Sequence, residues 1–221
     1  MRSALRGIGQ TLITLGVVIL LFCVYELWIT GLYTGREQSR LHRELIQQWA
    51  APPVASGPHR PRLPLGSGIA IIYIPALGKD YQKVVVEGVG VPDLKRGPGH
   101  YPGTALPGEI GNVVISGHRT TYGAPFNRVD TLRVGDAIVL ETRDAFFTYR
   151  VTGQQVVTPT SIEVTYPVPG HKGATPTQRL LTLTTCNPKY SAAQRLIIRA
   201  VLESAPFAKQ GDRLPPALTK G

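Results

Sequence analysis

At 221 residues the chain has room for one domain with appendages or for two very small ones, which excludes a large multidomain assembly. Glycine and proline contribute 24 and 19 residues beside 43% hydrophobic and 17% charged residues, the profile of a turn-rich β protein that is too apolar for wholesale disorder. The net charge of +10 is spread, with +4 over residues 1–66, +4 over 67–205 and +2 over 206–221, and it lacks the basic stripe with stacking aromatics that a nucleic-acid partner requires.

The first element is a membrane anchor, expected over residues 8–32 after a short cytoplasmic N-terminus, residues 1–7. Leu12 to Tyr25 carries no charge, and the 22 residues from Ile8 to Ile29 make a helix of about 33 Å, enough for a hydrocarbon core of roughly 30 Å. Glu26 lies near the end of this run beside Trp28 and Tyr33, where a carboxylate reaches headgroup water. A cleaved secretory signal shares the basic start, Arg2 and Arg6, but has a shorter apolar core and a small-residue cleavage site that is not evident here. Flanking charges do not settle the orientation; a short N-terminus before a long domain favours the domain outside. Cys23 falls inside the run, where a thiol is a small hydrophobe, so it has no route to pairing with Cys186.

Residues 33–66 are expected to form a polar juxtamembrane helix, over 34–49, and then a spacer with prolines at 52, 53, 58, 61 and 64. His59 sits in this solvated linker and is given no chemical role.

Residues 67–205 carry eight strand-like runs: 69–74, 84–89, 112–116, 137–142, 146–152, 155–158, 180–185 and 196–203. Helices do not alternate with them, which points to an all-β closed barrel of eight strands with short helices in its loops. Two long Pro- and Gly-rich connections, 92–111 and 159–178, interrupt the pattern and are candidate binding walls. GVGVPD at 88–93 fits no phosphate loop, and no Cys-x-x-Cys or His-rich spacing appears, so neither a cofactor nor a metal is expected. Residues 206–221, with Pro215-Pro216, read as a disordered tail.

The chemistry candidates lie at strand ends. In RLLTLTTCNP, period-two alternation puts Cys186 on one face with Thr182 and Thr184 while Leu181 and Leu183 face the other way. Such a thiol, followed by a turn, is accessible; a buried structural cysteine is the alternative. A cysteine nucleophile needs a proton carrier and a donor for a developing oxyanion. His118 ends the run VVISGHR, and Arg195 begins the strand after Cys186, nine residues on.

TLTTC at 182–186, RLI at 195–197 and GHR at 117–119 resemble the sortases, cysteine transpeptidases of Gram-positive cell envelopes, over roughly residues 67–205. The stretch GHYPGTALPGEIGNVVISGHRTTYGAPF with TLTTCNP is most similar to class E sortases of actinobacteria. The resemblance implies a sortase-like barrel on a single-pass membrane anchor with the catalytic domain extracellular. By position, it implies Cys186 as nucleophile on the Thr carbonyl of a C-terminal sorting motif, His118 as proton carrier, and Arg195 as the residue holding substrate backbone and tetrahedral intermediate. Tyr101, Thr184 and Thr185 are implied in substrate binding, Tyr101 with a preference for Leu-Ala-x-Thr-Gly over Leu-Pro-x-Thr-Gly, since Ala offers a backbone N–H that Pro lacks. The implied partners are secreted proteins with a sorting signal and an acceptor amine of a peptidoglycan precursor or pilin. A protease without acceptor transfer and a non-catalytic envelope scaffold remain as alternatives. His100 and His171, in the two long connections, are competing imidazoles that read as solvated loop residues. The acidic calcium site of class A enzymes has no counterpart in the second connection, where Glu163 is the sole acidic residue.

Overall fold

The computed structural model describes residues 2–25, 30–52, 63–211 and 213–219. Nine strands form it: β1 (Gly68–Tyr73), β2 (Gln82–Glu87), β3 (Gly99–His100), β4 (Gly111–Ser116), β5 (Ala137–Glu141), β6 (Ala145–Val157), β7 (Arg179–Asn187), β8 (Gln194–Leu202) and β9 (Phe207–Ala208). The order β5-β1-β2-β3-β4-β7-β8-β6 is closed by pairing of β5 with β6, giving an eight-stranded barrel, with β9 added outside on β6. Only β2–β3 and β4–β7 are parallel.

The eight-strand expectation agrees with the ring for partly different reasons. Runs 146–152 and 155–158 are one 13-residue strand, β6, because the register shift between Val151 and Gly153 absorbs the break while pairing with β8 continues. The missing member is β3, two residues inside the first long connection, too short to show an alternation. Residues 207–209, at the start of the supposed tail, are also held: β9 pairs with β6, and the Lys209 ammonium lies 2.5 Å from Glu141 and 4.2 Å from the Trp49 ring centroid.

Inside the barrel, alternate residues pack into one core that includes Ile72, Ile74, Val85, Ile115, Phe126, Leu140, Leu181, Leu183 and Ile198. The intervening residues of β1 and β2 are apolar too, so the outer face of these strands also requires cover. Helix α1 (Arg2–Val24) does not supply it: Arg6–Val24 is exposed along its length, and this 19-residue stretch is long and apolar enough to cross a membrane. The cover is α2 (Thr30–Ala50), whose Leu41 and Leu45 pack on Ile71, Val84 and Val86, with Trp49 and Tyr73 at the margin. Residues 38, 41, 45 and 49 recur at helical spacing, which places them on one stripe.

Polar contacts fix the docking. β3 pairs only with Val86 and Glu87 of β2, so Val84 has no strand beside it on that edge. The Gln38 amide fills the place: its Oε1 accepts from the Val84 N–H at 2.7 Å, and its Nε2 donates to the Val84 carbonyl at 3.0 Å and to that of Arg96 at 2.8 Å. Arg96 Nε pairs with Glu37 at 2.7 Å, and Thr34 donates to the Lys95 carbonyl at 2.9 Å. Helix α2 is thus a docked cover of the barrel. The sequence assignments for Glu26, Trp28, His59 and the prolines at 53, 58 and 61 lie outside the described residues.

Since Leu45 is 2% exposed, Leu45→Ala is expected to destabilise the domain by about 2–4 kcal/mol. Chemical unfolding of the protein measures this, and a change below about 0.5 kcal/mol would show the helix to be peripheral to folding.

Candidate active site

Strand β7 is bonded on both sides. In parallel with β4 its register runs from Gly111 opposite Arg179 to Ser116 opposite Thr184; antiparallel to β8 it sets Cys186 directly opposite Arg195. Leu181, Leu183, Leu196 and Ile198 occupy the core, so Thr182, Thr184, Cys186, Arg195 and Ile197 belong to the outer face, as the alternation in the sequence requires. Directly opposed side chains on one face have Cβ atoms about 4.5–5.5 Å apart, which brings Arg195 beside Cys186 without help from a turn. The Arg195 guanidinium donates through Nη1 to the Ala192 and Gln194 carbonyls, each at 2.9 Å, so its own turn orients it.

His118 arrives from β4. Beyond the paired strands, the Gly117 N–H donates to the Thr184 carbonyl at 3.1 Å and the Thr185 hydroxyl donates to the Gly117 carbonyl at 2.7 Å. Arg119 Nη1 then donates to the Cys186 carbonyl at 3.2 Å, so His118 lies between two residues tied to β7 and is level with Cys186. Gly117 is required by close approach: a Cβ there would stand 2.6 Å from the ring of Phe126, which is fully buried. Cys186 and His118 are both partly exposed.

The two long connections meet beside this strand end. A pocket of about 120 Å³ has Thr184, Ile197 and Arg195 as its floor, with Tyr101 from the first connection and Pro159, Ser161, Ile162, Val164 and Thr165 from the second as its walls. The second connection is pinned by the buried Asn112, whose amide donates to the carbonyls of Val164 at 3.0 Å and Tyr166 at 3.1 Å while accepting from Thr182 at 2.8 Å. Thr184 thus faces the pocket. Thr185 does not: the residue is 2% exposed and its hydroxyl is committed to the Gly117 carbonyl. His171 is exposed in a turn, as expected, whereas His100 is 1% exposed and so is not a solvated loop residue.

Burial, and after it the nearby Lys95 cation, push the His118 imidazole below its ordinary value. The contacts are visible: the Tyr122 ring lies 5.1 Å from the imidazole, tilted by 41°, and Lys95 Nζ sits 5.4 Å from the Tyr122 centroid.

Sequence reasoning passed over Arg119. Its guanidinium is buried and ties together the Cys186 carbonyl, the Asn187 Oδ1 at 2.7 Å and the Asp130 carboxylate at 3.0 Å, while its own carbonyl accepts from Asn127 at 2.8 Å. The signal was its place immediately after His118, since a residue so placed must also arrive at the end of β7.

Comparison with known proteins decides the family. A sortase domain profile matches residues 72–203. The chain belongs to the sortase family. It is 36% identical over 215 residues to Sortase SrtE1 of Streptomyces coelicolor, covering 93% of this chain and 59% of that relative, so it spans little more than half of that protein's length. Sortase E from Streptomyces avermitilis superposes with a TM-score of 0.63 at 42% identity, covering 70% of this chain and 99% of that structure. The SrtF sortase from Corynebacterium diphtheriae gives 0.69 at 34% identity, over 76% and 100%. These likenesses place the chain with the class E sortases, in a family of cysteine transpeptidases.

Lys95→Met removes only the smaller cause of the His118 shift, so the imidazole midpoint is expected to rise and to stay below the ordinary ~6.5. A proton NMR titration of the ring in a Cys186→Ala background reads this, and an unmoved midpoint would exclude Lys95 as a partner. Arg119→Ala is expected to lower turnover by about 10²-fold through displacement of the strand end, with iodoacetamide still reaching Cys186. Turnover within a factor of two of wild type would show the tie to be dispensable.

Proposed function

We propose that this sortase is a single-pass membrane enzyme, with its catalytic barrel outside the cell, that cleaves a C-terminal sorting motif of the Leu-Ala-x-Thr-Gly or Leu-Pro-x-Thr-Gly type between Thr and Gly, with Ala preferred at the second position. It then joins the Thr to an amine of a peptidoglycan precursor or a pilin. The observation that carries the reading is the meeting, at one end of β7, of Cys186, its cross-strand partner Arg195 and the His118 segment, next to a pocket built by both long connections.

In this reading the Cys186 thiolate attacks the Thr carbonyl carbon, and the electron pair moves onto the carbonyl oxygen. Arg195, oriented by its turn, stabilises that oxyanion and holds substrate backbone. When the tetrahedral species collapses, the C–N bond breaks, the Gly nitrogen takes a proton from His118, and a thioester remains on Cys186. The incoming amine attacks the thioester carbonyl and gives a proton to His118; the C–S bond breaks, the new amide forms and the thiolate is restored. A depressed imidazole suits the first half, since its protonated ring is the stronger acid toward the leaving Gly nitrogen, and once that proton is given the ring stays neutral and can take the proton of the incoming amine. Thr184 and Tyr101 flank the bound motif, and the Thr185 backbone follows it along β7. The Tyr101 hydroxyl is suited to engage the N–H that distinguishes Ala from Pro at the second position. The apolar, exposed stretch Arg6–Val24 supports the anchor.

The full-length protein in detergent, given a Leu-Ala-x-Thr-Gly peptide and a nucleophilic amine, is expected to yield the amine-joined product by mass spectrometry. Cys186→Ala is expected to lose at least 10³-fold of this activity. Release of the free acid alone in saturating amine would make the protein a protease, and activity retained by Cys186→Ala would remove the thiol from the mechanism.

A further inference from the structure

Behind the pocket lies a buried ionisable pair to which the reaction above gives no task. His100 is 1% exposed and its Nδ1 lies 2.7 Å from Oε2 of Glu87, which is itself 6% exposed. On its other side, Nε2 lies 2.9 Å from the Ala105 carbonyl and 2.9 Å from the Thr104 hydroxyl. Both of those partners accept: the carbonyl has no hydrogen, and the single Thr104 hydroxyl hydrogen is directed to the Tyr101 carbonyl at 2.7 Å. Nε2 therefore carries a proton. Nδ1 faces the Glu87 carboxylate at the same time, so both ring nitrogens are engaged, and loss of either partner leaves the other buried without its bond.

The backbone around the pair is equally constrained. The Gly88 N–H donates to the His100 carbonyl at 2.9 Å, Tyr101 donates to the Val114 carbonyl at 2.9 Å, and Ala105 donates to the Asn112 carbonyl at 3.1 Å. A Cβ on Gly99 would stand 2.1 Å from the Gly88 carbonyl oxygen, which keeps β3 pressed against the strand that carries Glu87. The imidazole thus crosses the base of the loop 101–105, fastening its far end, Thr104 and Ala105, to β2. Tyr101 stands at the near end of this same loop and walls the pocket with Thr184 and Arg195.

We propose that Glu87 and His100 are positioning residues that hold the 101–105 loop so that Tyr101 stands at a set distance from the pocket floor, and that this distance controls which residue the enzyme accepts at the second motif position. The inference rests on the reading of Tyr101 given above. A merely structural pair would raise or lower activity on every substrate alike. A pair that sets the Tyr101 wall alters the choice between substrates while the thiol chemistry is untouched.

The full-length enzyme and its Glu87→Gln, His100→Gln and Tyr101→Ala variants are compared in two ways, with Thr104→Val as a milder variant should the buried substitutions prevent folding. Hydrogen exchange read by mass spectrometry tests the positioning itself: peptides spanning 101–105 are expected to exchange at least 10-fold faster in Glu87→Gln and His100→Gln, with peptides of β7 and β8 unchanged. Unaltered exchange of the loop overturns the proposal. The ratio of kcat/KM for Leu-Ala-x-Thr-Gly and Leu-Pro-x-Thr-Gly peptides tests the consequence: the ratio is expected to fall at least 5-fold, through KM for the Ala peptide, with the alkylation rate of Cys186 within two-fold of wild type. An equal loss on both peptides overturns control of specificity by the pair. If Tyr101→Ala leaves the ratio unchanged while the pair variants loosen the loop, the assignment of Tyr101 fails and the positioning role stands.

Discussion

Strand β7 is paired on both sides from Leu180 to Thr184, and its double register with β4 and β8 is the constraint from which the site follows. Side chains on a strand alternate strictly, so a slip of one residue against either neighbour would turn Cys186 into the barrel and put Leu181 and Leu183 outside. Each exposed leucine would forfeit roughly 1.5–3 kcal/mol of burial, so the hydrophobic core guards the register and, through it, the opposition of Cys186 and Arg195. The parallel pairing with β4 adds the imidazole, since bonding Ser116 opposite Thr184 carries the next residues of β4 alongside the end of β7. Arg119 and Thr185 complete this by tying the two ends across the gap where the ladder stops.

The barrel's outside is also dressed by two side-chain amides that do the work of missing strands. Gln38 pairs with the open edge of β2 and brings α2 onto the barrel; Asn112 bonds the carbonyls of the second long connection and brings it over β7. Both amides satisfy backbone groups that burial would otherwise leave unpaired. From α2 a continuous line of contacts then reaches the site: Thr34 bonds the Lys95 backbone, the Lys95 ammonium faces Tyr122, and Tyr122 lies against His118. The segment that joins the apolar N-terminal helix to the barrel is thereby in physical connection with the imidazole.

Much of the barrel was legible because strands that bury one face announce it. The runs at Ile69, Asn112, Leu180 and Leu196 alternate or are uniformly apolar, and each became a strand within a residue or two of its predicted bounds. What escaped was of two kinds. β3 is too short for any period, and the bulge in β6 resembles a break in a strand when only local pattern is available. The docking of α2 escaped because its apolar stripe is narrow and its decisive contacts, from Gln38, Glu37 and Thr34, are polar and reach residues 46 to 61 positions away. His100 was misjudged and Arg119 passed over for a related reason: a histidine in a Pro- and Gly-rich stretch and an arginine in a turn are usually solvated, and nothing local revealed that Glu87 and Asp130 would meet them.

The family signature, the apolar N-terminal run, the strand pattern and the face on which Cys186 stands are all local properties, because each depends on residue identity or on a local period of two or 3.6. Long-range pairing settled that the two long connections converge on one pocket, that Thr184 faces it while Thr185 is turned inward, that a buried histidine bonds the loop after β3, and that a buried arginine bonds the end of β7. These features depend on pairing between residues far apart in the chain, and such pairings are chosen by closure of the barrel and by the demand that buried polar groups find partners, neither of which is written in any short stretch of residues.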